Sequence, residues 1–303
     1  MPYSLPPTLS PSRVSAFTEC ALAFRFANLD RLPEPPAPHL TRGTLVHLAL
    51  ERLFMLAPAE RTAAQAEACL DAAVAALRDD PEFSGLGLDA EGEAAFVAEA
   101  RRLVDRYFSM EDPASVHAVG LELRLRAEVG GVELTGIIDR LDRTPDGGFE
   151  VVDYKTGKAP GERHERGRLN GVDTYALLCE RVLGVLPTAV KLLYLGDGTT
   201  ITCIPTAHTT RFIEQKVGAV WVTIQRANQS DSFRPKPGRL CEWCSFQTFC
   251  PAFGGDAEEG RRLGERLRAE RGAERGADAN VAGLHDEPLR FDDAASGAAA
   301  AAG

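Results

Sequence analysis

Gly136-Ile-Ile-Asp139-Arg-Leu-Asp-Arg-Thr-Pro-Asp-Gly-Gly-Phe149-Glu-Val-Val-Asp153-Tyr-Lys155-Thr-Gly157 decides the fold. It reads as two strands joined by a Pro-Asp-Gly-Gly turn. Side chains alternate along a strand, so Ile137, Asp139 and Leu141 share one face, and Phe149, Val151, Asp153 and Lys155 share one on the second strand. A hairpin centred on Asp146 places Asp139 opposite Asp153. Opposed residues have Cβ atoms roughly 4.5–5.5 Å apart, a distance at which like charges repel. Lys155 compensates in part. A divalent cation does so better, because Mg²⁺ favours carboxylate oxygens.

Working outward, Leu121–Val129 alternates strictly, with Leu121, Leu123, Leu125, Ala127 and Val129 on one side. Gly130-Gly131 turns it into the hairpin and pairs Glu122 with Asp139. Glu122, Asp139 and Asp153 then form a row across three strands, which a one-residue slip would destroy. Upstream, Gly43–Leu56 reads as an apolar helix that carries Gly43, His47, Glu51 and Phe54 on one face. His47 and the carboxylates are a donor set for Mg²⁺ or Mn²⁺, and Lys155 is placed to stabilise a phosphoryl transition state. On residue type alone, His47 is more often a satisfied core histidine.

Residues 9–29 open with Ser10-Pro11, a cap followed by proline at the first helical position. Alanine-rich 59–78 and 90–109 read as a helical insertion. Downstream come a helix over 169–183, a hairpin over 190–204 and a helix over 209–227. Tyr175 lies on an apolar stripe of the first of these. From Gly254 onward 11 acidic residues face 7 arginines with no apolar periodicity, and the stretch reads as a disordered tail.

The formal charge of −10 over 303 residues excludes a global basic surface for nucleic acid. Local patches remain, at Lys155, Lys158, Arg163, Arg166 and Arg168, and at Arg234, Lys236 and Arg239. No run is long enough to span a membrane, and the start lacks a basic segment followed by an apolar one, so a cytoplasmic location is expected.

Seven cysteines in a reducing compartment argue for metal or redox use rather than disulfides. Cys241-x₂-Cys244-x₅-Cys250 is a ligand cluster, and Cys20, between Phe17 and Phe24, is the best fourth ligand. Zinc and an iron–sulfur cluster both suit four thiolates.

Together, Gly43-x₃-His47, Gly136-Ile-Ile-Asp139, Asp153-Tyr-Lys155-Thr-Gly157 and the cysteines resemble the RecB-type branch of the PD-(D/E)XK nucleases. They are most similar to its iron–sulfur members, which include the AddB nuclease domain and the CRISPR-adaptation exonucleases. The resemblance covers about residues 8–253. It implies an α/β fold of the restriction-endonuclease type: a central mixed sheet flanked by helices, over 1–253, with the 59–110 insertion and the 233–253 cysteine segment closing onto 9–29; 254–303 stays outside it as the tail. It implies Mg²⁺- or Mn²⁺-dependent exonucleolytic hydrolysis of DNA, in single strands or at ends, in repair or recombination. By position, His47, Asp139, Asp153 and the Tyr154 backbone carbonyl would bind metal. Lys155, with Asp153, Asp139 and Glu122, would be catalytic, and Tyr175, Lys158 and Arg168 would support DNA or the site. Cys20, Cys241, Cys244 and Cys250 would hold a structural [4Fe–4S] cluster, with zinc as the alternative. One departure is Gly171, where the family carries a glutamine four residues before the tyrosine. It motivates a second expectation, a nuclease-fold DNA-binding module without catalysis. No Walker-type loop is present, so helicase activity would come from a partner.

Overall fold

Two faces of one sheet are covered by separate sets of helices. The computed structural model describes residues 2–278, with side chains throughout except at 162–170, 172 and 272–278. Strands β1 (Thr8–Leu9), β2 (Ala118–Val129), β3 (Val132–Arg143), β4 (Phe149–Lys155), β5 (Ala189–Tyr194) and β6 (Thr199–Cys203) form one mixed sheet, ordered β1-β3-β4-β5-β6 with β2 paired to β3. Around it lie α1 (Pro11–Glu19), α2 (Ala21–Phe24), α3 (Pro38–Met55), α4 (Ala63–Leu77), α5 (Pro81–Ser84), α6 (Ala90–Met110), α7 (Glu162–Leu183), α8 (Ala207–Gln229) and α9 (Ala257–Asp278). The parallel pair β4–β5 is joined through α7, the crossover that parallel strands require. The expected α/β architecture is therefore the one observed.

Period-2 alternation divides the core. Val151, Val190 and Leu192 pack with Val14, Phe17, Leu22, Ala176, Leu178 and Val217, the contribution of α1, α2, α7 and α8. Val152, Tyr154, Leu193 and Leu195 pack on the other face with Leu45, Ala49, Leu53, Leu70, Ala100 and Tyr107, from α3, α4 and α6. The helical insertion is thus one of the two layers that sandwich the sheet.

The second core contains a charge. The Arg140 guanidinium is fully buried. It donates to Asp142 Oδ1 and Oδ2 from Nε at 2.9 and 3.1 Å, to Glu111 Oε2 from Nη2 at 2.8 Å, and to the hydroxyls of Tyr107 and Tyr154 from Nη1 at 3.1 and 2.7 Å. Its carbon lies 4.5 Å from the Phe54 ring centroid. With every side of the fork engaged, the ion is tolerated away from water.

The strand register follows the hairpin reading. Arg140 faces Val152 and Leu141 faces Val151, and the ladder ends there, one step short of Asp139 and Asp153. On the other side, the pairs Leu121–Arg140 and Leu123–Ile138 bracket Glu122 and Asp139. The single apolar face expected along β2 does not hold. Leu121 packs against the second core, whereas Leu123, Leu125 and Val129 belong to the first. The change of phase falls at Glu122, whose φ of +43° is in the left-handed region that few non-glycine residues adopt.

Two other expectations are corrected. The helix over 9–29 breaks at Cys20, where the backbone is extended (φ −158°, ψ 110°), and resumes as α2 and a π-helical turn at Arg25–Asp30. The stretch after Gly254, read as disordered, opens with α9. Its contacts are not an apolar stripe. Gly260 faces Phe26 and Phe249, Gly264 lies against the Asp30 carbonyl, and Arg268 Nη1 donates to the carbonyls of Leu29 and Asp30 at 2.7 and 3.0 Å. Arg25 also donates to the Ala257 carbonyl at 2.6 Å. Residues 279–303 lie outside the described residues. Among the described residues no helix is long and apolar enough to cross a membrane.

A Cβ at position 264 would lie 2.4 Å from the Asp30 oxygen. Gly264→Val is therefore expected to lift α9 off the π-turn and lower unfolding free energy by about 1–3 kcal/mol in urea titrations.

Candidate active site

The site lies where α3 crosses the ends of β2, β3 and β4. Asp139 Oδ2 accepts the Tyr154 backbone N–H at 2.7 Å, so a side chain continues the β3–β4 connection where the ladder ends. His47 Nε2 lies 3.1 Å from the Tyr154 carbonyl oxygen; the carbonyl can only accept, which places a proton on Nε2. Its Nδ1 is 3.5 Å from Asp139 Oδ2. A Cβ at Gly43, one turn before His47, would meet Thr156 Oγ1 at 3.7 Å, an ordinary contact, so the approach of α3 to the strand end does not depend on glycine there.

His47, Glu122 and Asp139 each present a ligand atom within 4.8 Å of the others. Among the described residues this is the group of metal-ligating side chains that converges so closely. An imidazole and two carboxylates match the donor preference of Mg²⁺ or Mn²⁺. Asp153, only 2% exposed, stands beside the trio with its carboxylate bound by the Lys155 ammonium and by the Tyr175 hydroxyl. The resemblance gives Glu122 a catalytic role and leaves it out of the metal ligands, whereas the fold brings it among them. Gly136 makes room for this arrangement, since a Cβ there would come within 3.3 Å of the Tyr175 ring and 2.7 Å of Leu178. Lys158 is exposed. The Arg168 side chain lies outside the described residues.

Protonation shows how ill at ease these acids are without a cation. Burial, then the charge of Asp139, push Glu122 up to about 7. Burial raises Asp153 too, against the opposing pull of Lys155. Burial works against charge on His47, but its hydrogen bond to Asp139 prevails and raises its pKa. Lys155 is likewise raised, Asp153 outweighing burial, so it stays an ammonium at neutral pH. Burial and Asp153 hold the Tyr175 phenol protonated.

A cleft of about 610 Å³ adjoins the trio, lined by Gly43, Thr44, His47, Leu48, Glu51, Leu77 and Glu122. Leu77, near the end of α4, brings the insertion to its wall. What sequence reasoning missed is the support beneath: Arg140, Asp142, Glu111 and Tyr107. The sequence carries no local signal of it, because charged residues two apart on a strand, flanked by Asp139 and Arg143, read as surface.

Far along the chain, Cys20, Cys241, Cys244 and Cys250 line one cavity of about 570 Å³. The break at Cys20 turns its thiol toward the others. Burial raises the Cys244 thiol, and the three neighbouring thiols add to the effect. Among the described residues no three of these sulfurs lie within 4.8 Å of one another. A single tetrahedral zinc, with Zn–S near 2.3 Å, would hold them roughly 3.8 Å apart.

The sign of the carboxylate and imidazole shifts is common: the fold binds protons more tightly than the unfolded chain does. Stability of the metal-free protein is therefore expected to fall as pH rises from 4.5 to about 7 through Glu122, and further through the raised titration of His47. Glu122→Gln should flatten that slope in thermal unfolding across this range.

Comparisons with known proteins agree with the geometry. The family model described as the PD-(D/E)XK nuclease superfamily matches residues 8–251. The Gene 69 protein of Mycobacterium phage D29 is 22% identical over 269 residues, covering 82% of this chain and 97% of the phage protein. That of Mycobacterium phage L5 is 23% identical over 296 residues, covering 82% and 98%. A crystal structure of a candidate exonuclease from Eubacterium rectale superimposes with a TM-score of 0.54 at 15% identity, covering 78% of this chain and 87% of that one, and so shares the fold. With the family model spanning four-fifths of its length, the chain belongs to the PD-(D/E)XK nuclease superfamily.

Proposed function

We propose that the protein is a Mg²⁺- or Mn²⁺-dependent exonuclease that hydrolyses DNA phosphodiesters, in repair or recombination. The observation that carries the reading is the convergence of His47, Glu122 and Asp139 within 4.8 Å, next to the Asp153–Lys155 pair. A divalent cation bound there supplies an acidified water and neutralises charge on the phosphoryl group. The chain's own residues do the rest. His47, Glu122 and Asp139 hold the ion, with Asp153 and the Tyr154 carbonyl as neighbouring oxygen donors. The Tyr154 N–H occupies one lone pair of Asp139 and fixes the direction of the others. Lys155, charged and on the strand end, orients the attacking water or stabilises the developing phosphoryl charge. Tyr175 holds Asp153 in place.

Single strands or ends are the proposed substrate, entering the cleft beside the trio that Leu77 of α4 helps to line. Backbone contacts would come from the basic residues after β4, Lys158 and Arg168 among them. A separate helicase is proposed as the partner that would supply single strands.

We also assign the four-cysteine cavity to a [4Fe–4S] cluster that ties Cys20 to the 241–250 segment, placing the protein with the iron–sulfur RecB-type and AddB-like nucleases. Four cysteines lining one cavity support a thiolate-held group there; zinc is the alternative.

End-labelled single-stranded DNA with Mn²⁺ should be degraded by the wild-type protein. Asp153→Ala and Lys155→Ala should each lose on the order of 10³-fold or more in rate, and equal activity in either variant would refute the mechanism. Anaerobically prepared protein should be brown and carry iron; a colourless protein with one zinc would refute the cluster. At Gly171 a Cβ would meet no atom of the described residues within 4 Å. Gly171→Gln is expected to raise turnover severalfold if the missing glutamine limits activity. DNA binding by wild type with no turnover, restored by this variant, would favour the non-catalytic module.

A further inference from the structure

We infer that Arg140, fully buried and remote from any substrate, is a positioning residue that sets the geometry of the metal site through Tyr154. The inference rests on the metal-centre reading above and deepens it.

Tyr154 is the joint between two systems. Its main chain faces the site: the N–H donates to Asp139 Oδ2 at 2.7 Å and the carbonyl accepts from His47 Nε2 at 3.1 Å. Two of the three residues of the converging trio are therefore held by one peptide unit on either side of a single α-carbon. Its side chain faces the opposite way, into the second core. There the hydroxyl accepts from Arg140 Nη1 at 2.7 Å, and the ring stacks edge-on against Tyr107 at 5.9 Å and against His47 at 5.9 Å. A tyrosine whose backbone is fixed by two site residues and whose phenol is fixed by a charged fork has no freedom to slide along the strand.

Arg140 is itself immobilised. Asp142 holds its Nε and Nη2, Glu111 reaches Nη2 and Tyr107 reaches Nη1, while Phe54 covers its face. Glu111 and Tyr107 come from the end of the helical insertion or just after it, and Arg140 adjoins Asp139 on β3. The insertion is thus coupled to the metal ligands through one guanidinium. Such partners around a metal centre orient its ligands, and their loss typically lowers metal affinity by about 10–100-fold. A lysine cannot replace the fork, since an ammonium has no fixed planar donor array to hold Asp142 and Tyr154 at once.

The test is Mn²⁺ titration of the full chain by calorimetry without DNA, alongside kcat and KM on single-stranded DNA and the melting temperature. Tyr154→Phe removes only the hydroxyl that Arg140 holds and leaves the peptide bonds to His47 and Asp139. It and Arg140→Lys are expected to weaken Mn²⁺ binding about tenfold or more and to lower kcat with KM for DNA unchanged. Phe83→Ala, which removes a ring packed on Phe96 in the same core, serves as the stability control and should leave Mn²⁺ affinity within about twofold at a comparable loss in melting temperature. Wild-type affinity in Tyr154→Phe would overturn the inference, as would an equal loss in Phe83→Ala. A wild-type protein that binds no Mn²⁺ overturns the metal-centre reading itself, and the inference with it.

Discussion

One hydrogen bond, from the Tyr154 amide to the Asp139 carboxylate, governs the arrangement around it. The β3–β4 ladder stops at Arg140–Val152, and a regular next step would bring two carboxylates face to face. The side-chain bond takes over from the ladder there. It commits one oxygen of Asp139 to the main chain and thereby separates its role from that of Asp153. Asp139 turns toward His47 and Glu122, and Asp153 toward Lys155 and Tyr175. The repulsion that two opposed acids would suffer is divided between two sets of partners instead of being met by one.

That division requires a distorted strand. Glu122 reaches the trio only because β2 changes phase there, at a positive φ that costs on the order of 1 kcal/mol for a residue with a side chain. The change sends Leu121 to one core and Leu123 to the other. Local strain and the raised protonation of Glu122 have the same origin: a carboxylate brought close to other acids in a partly desolvated cleft. A bound cation would relieve the electrostatic part. Beneath the site, Arg140 supplies a permanent positive charge that no titration near neutrality removes, and it faces the second core rather than the substrate.

Two features lie where the ends of the fold meet. Cys20 lines one cavity with Cys241, Cys244 and Cys250. Beside it α9 lays Gly260, Gly264 and Arg268 against the π-turn at Arg25–Asp30. The docking of α9 was invisible in the sequence because its contacts run through Gly260 against the Phe26 and Phe249 rings, Gly264 against the Asp30 backbone, and arginines reaching carbonyls. None of these leaves an apolar stripe, which is the signal that marks a packing helix.

The hairpin, its register and the sheet with helices on both faces were legible in the sequence, as was the expectation that His47, Asp139, Asp153 and Lys155 come together at one end of it. Period-2 alternation and turn chemistry are local properties, and a row of acids on paired strands needs no distant information once the turn is placed. The break at Cys20, the change of phase at Glu122, the Arg140 fork and the docking of α9 were decided by tertiary structure alone. Each depends on which group lies across space at the end of a strand or helix. Arg140 shows this most directly: on a strand, a charged residue two away from another reads as surface, and only Tyr107, Glu111 and Phe54, some thirty or more residues earlier, together with Tyr154, make burial of that charge tolerable.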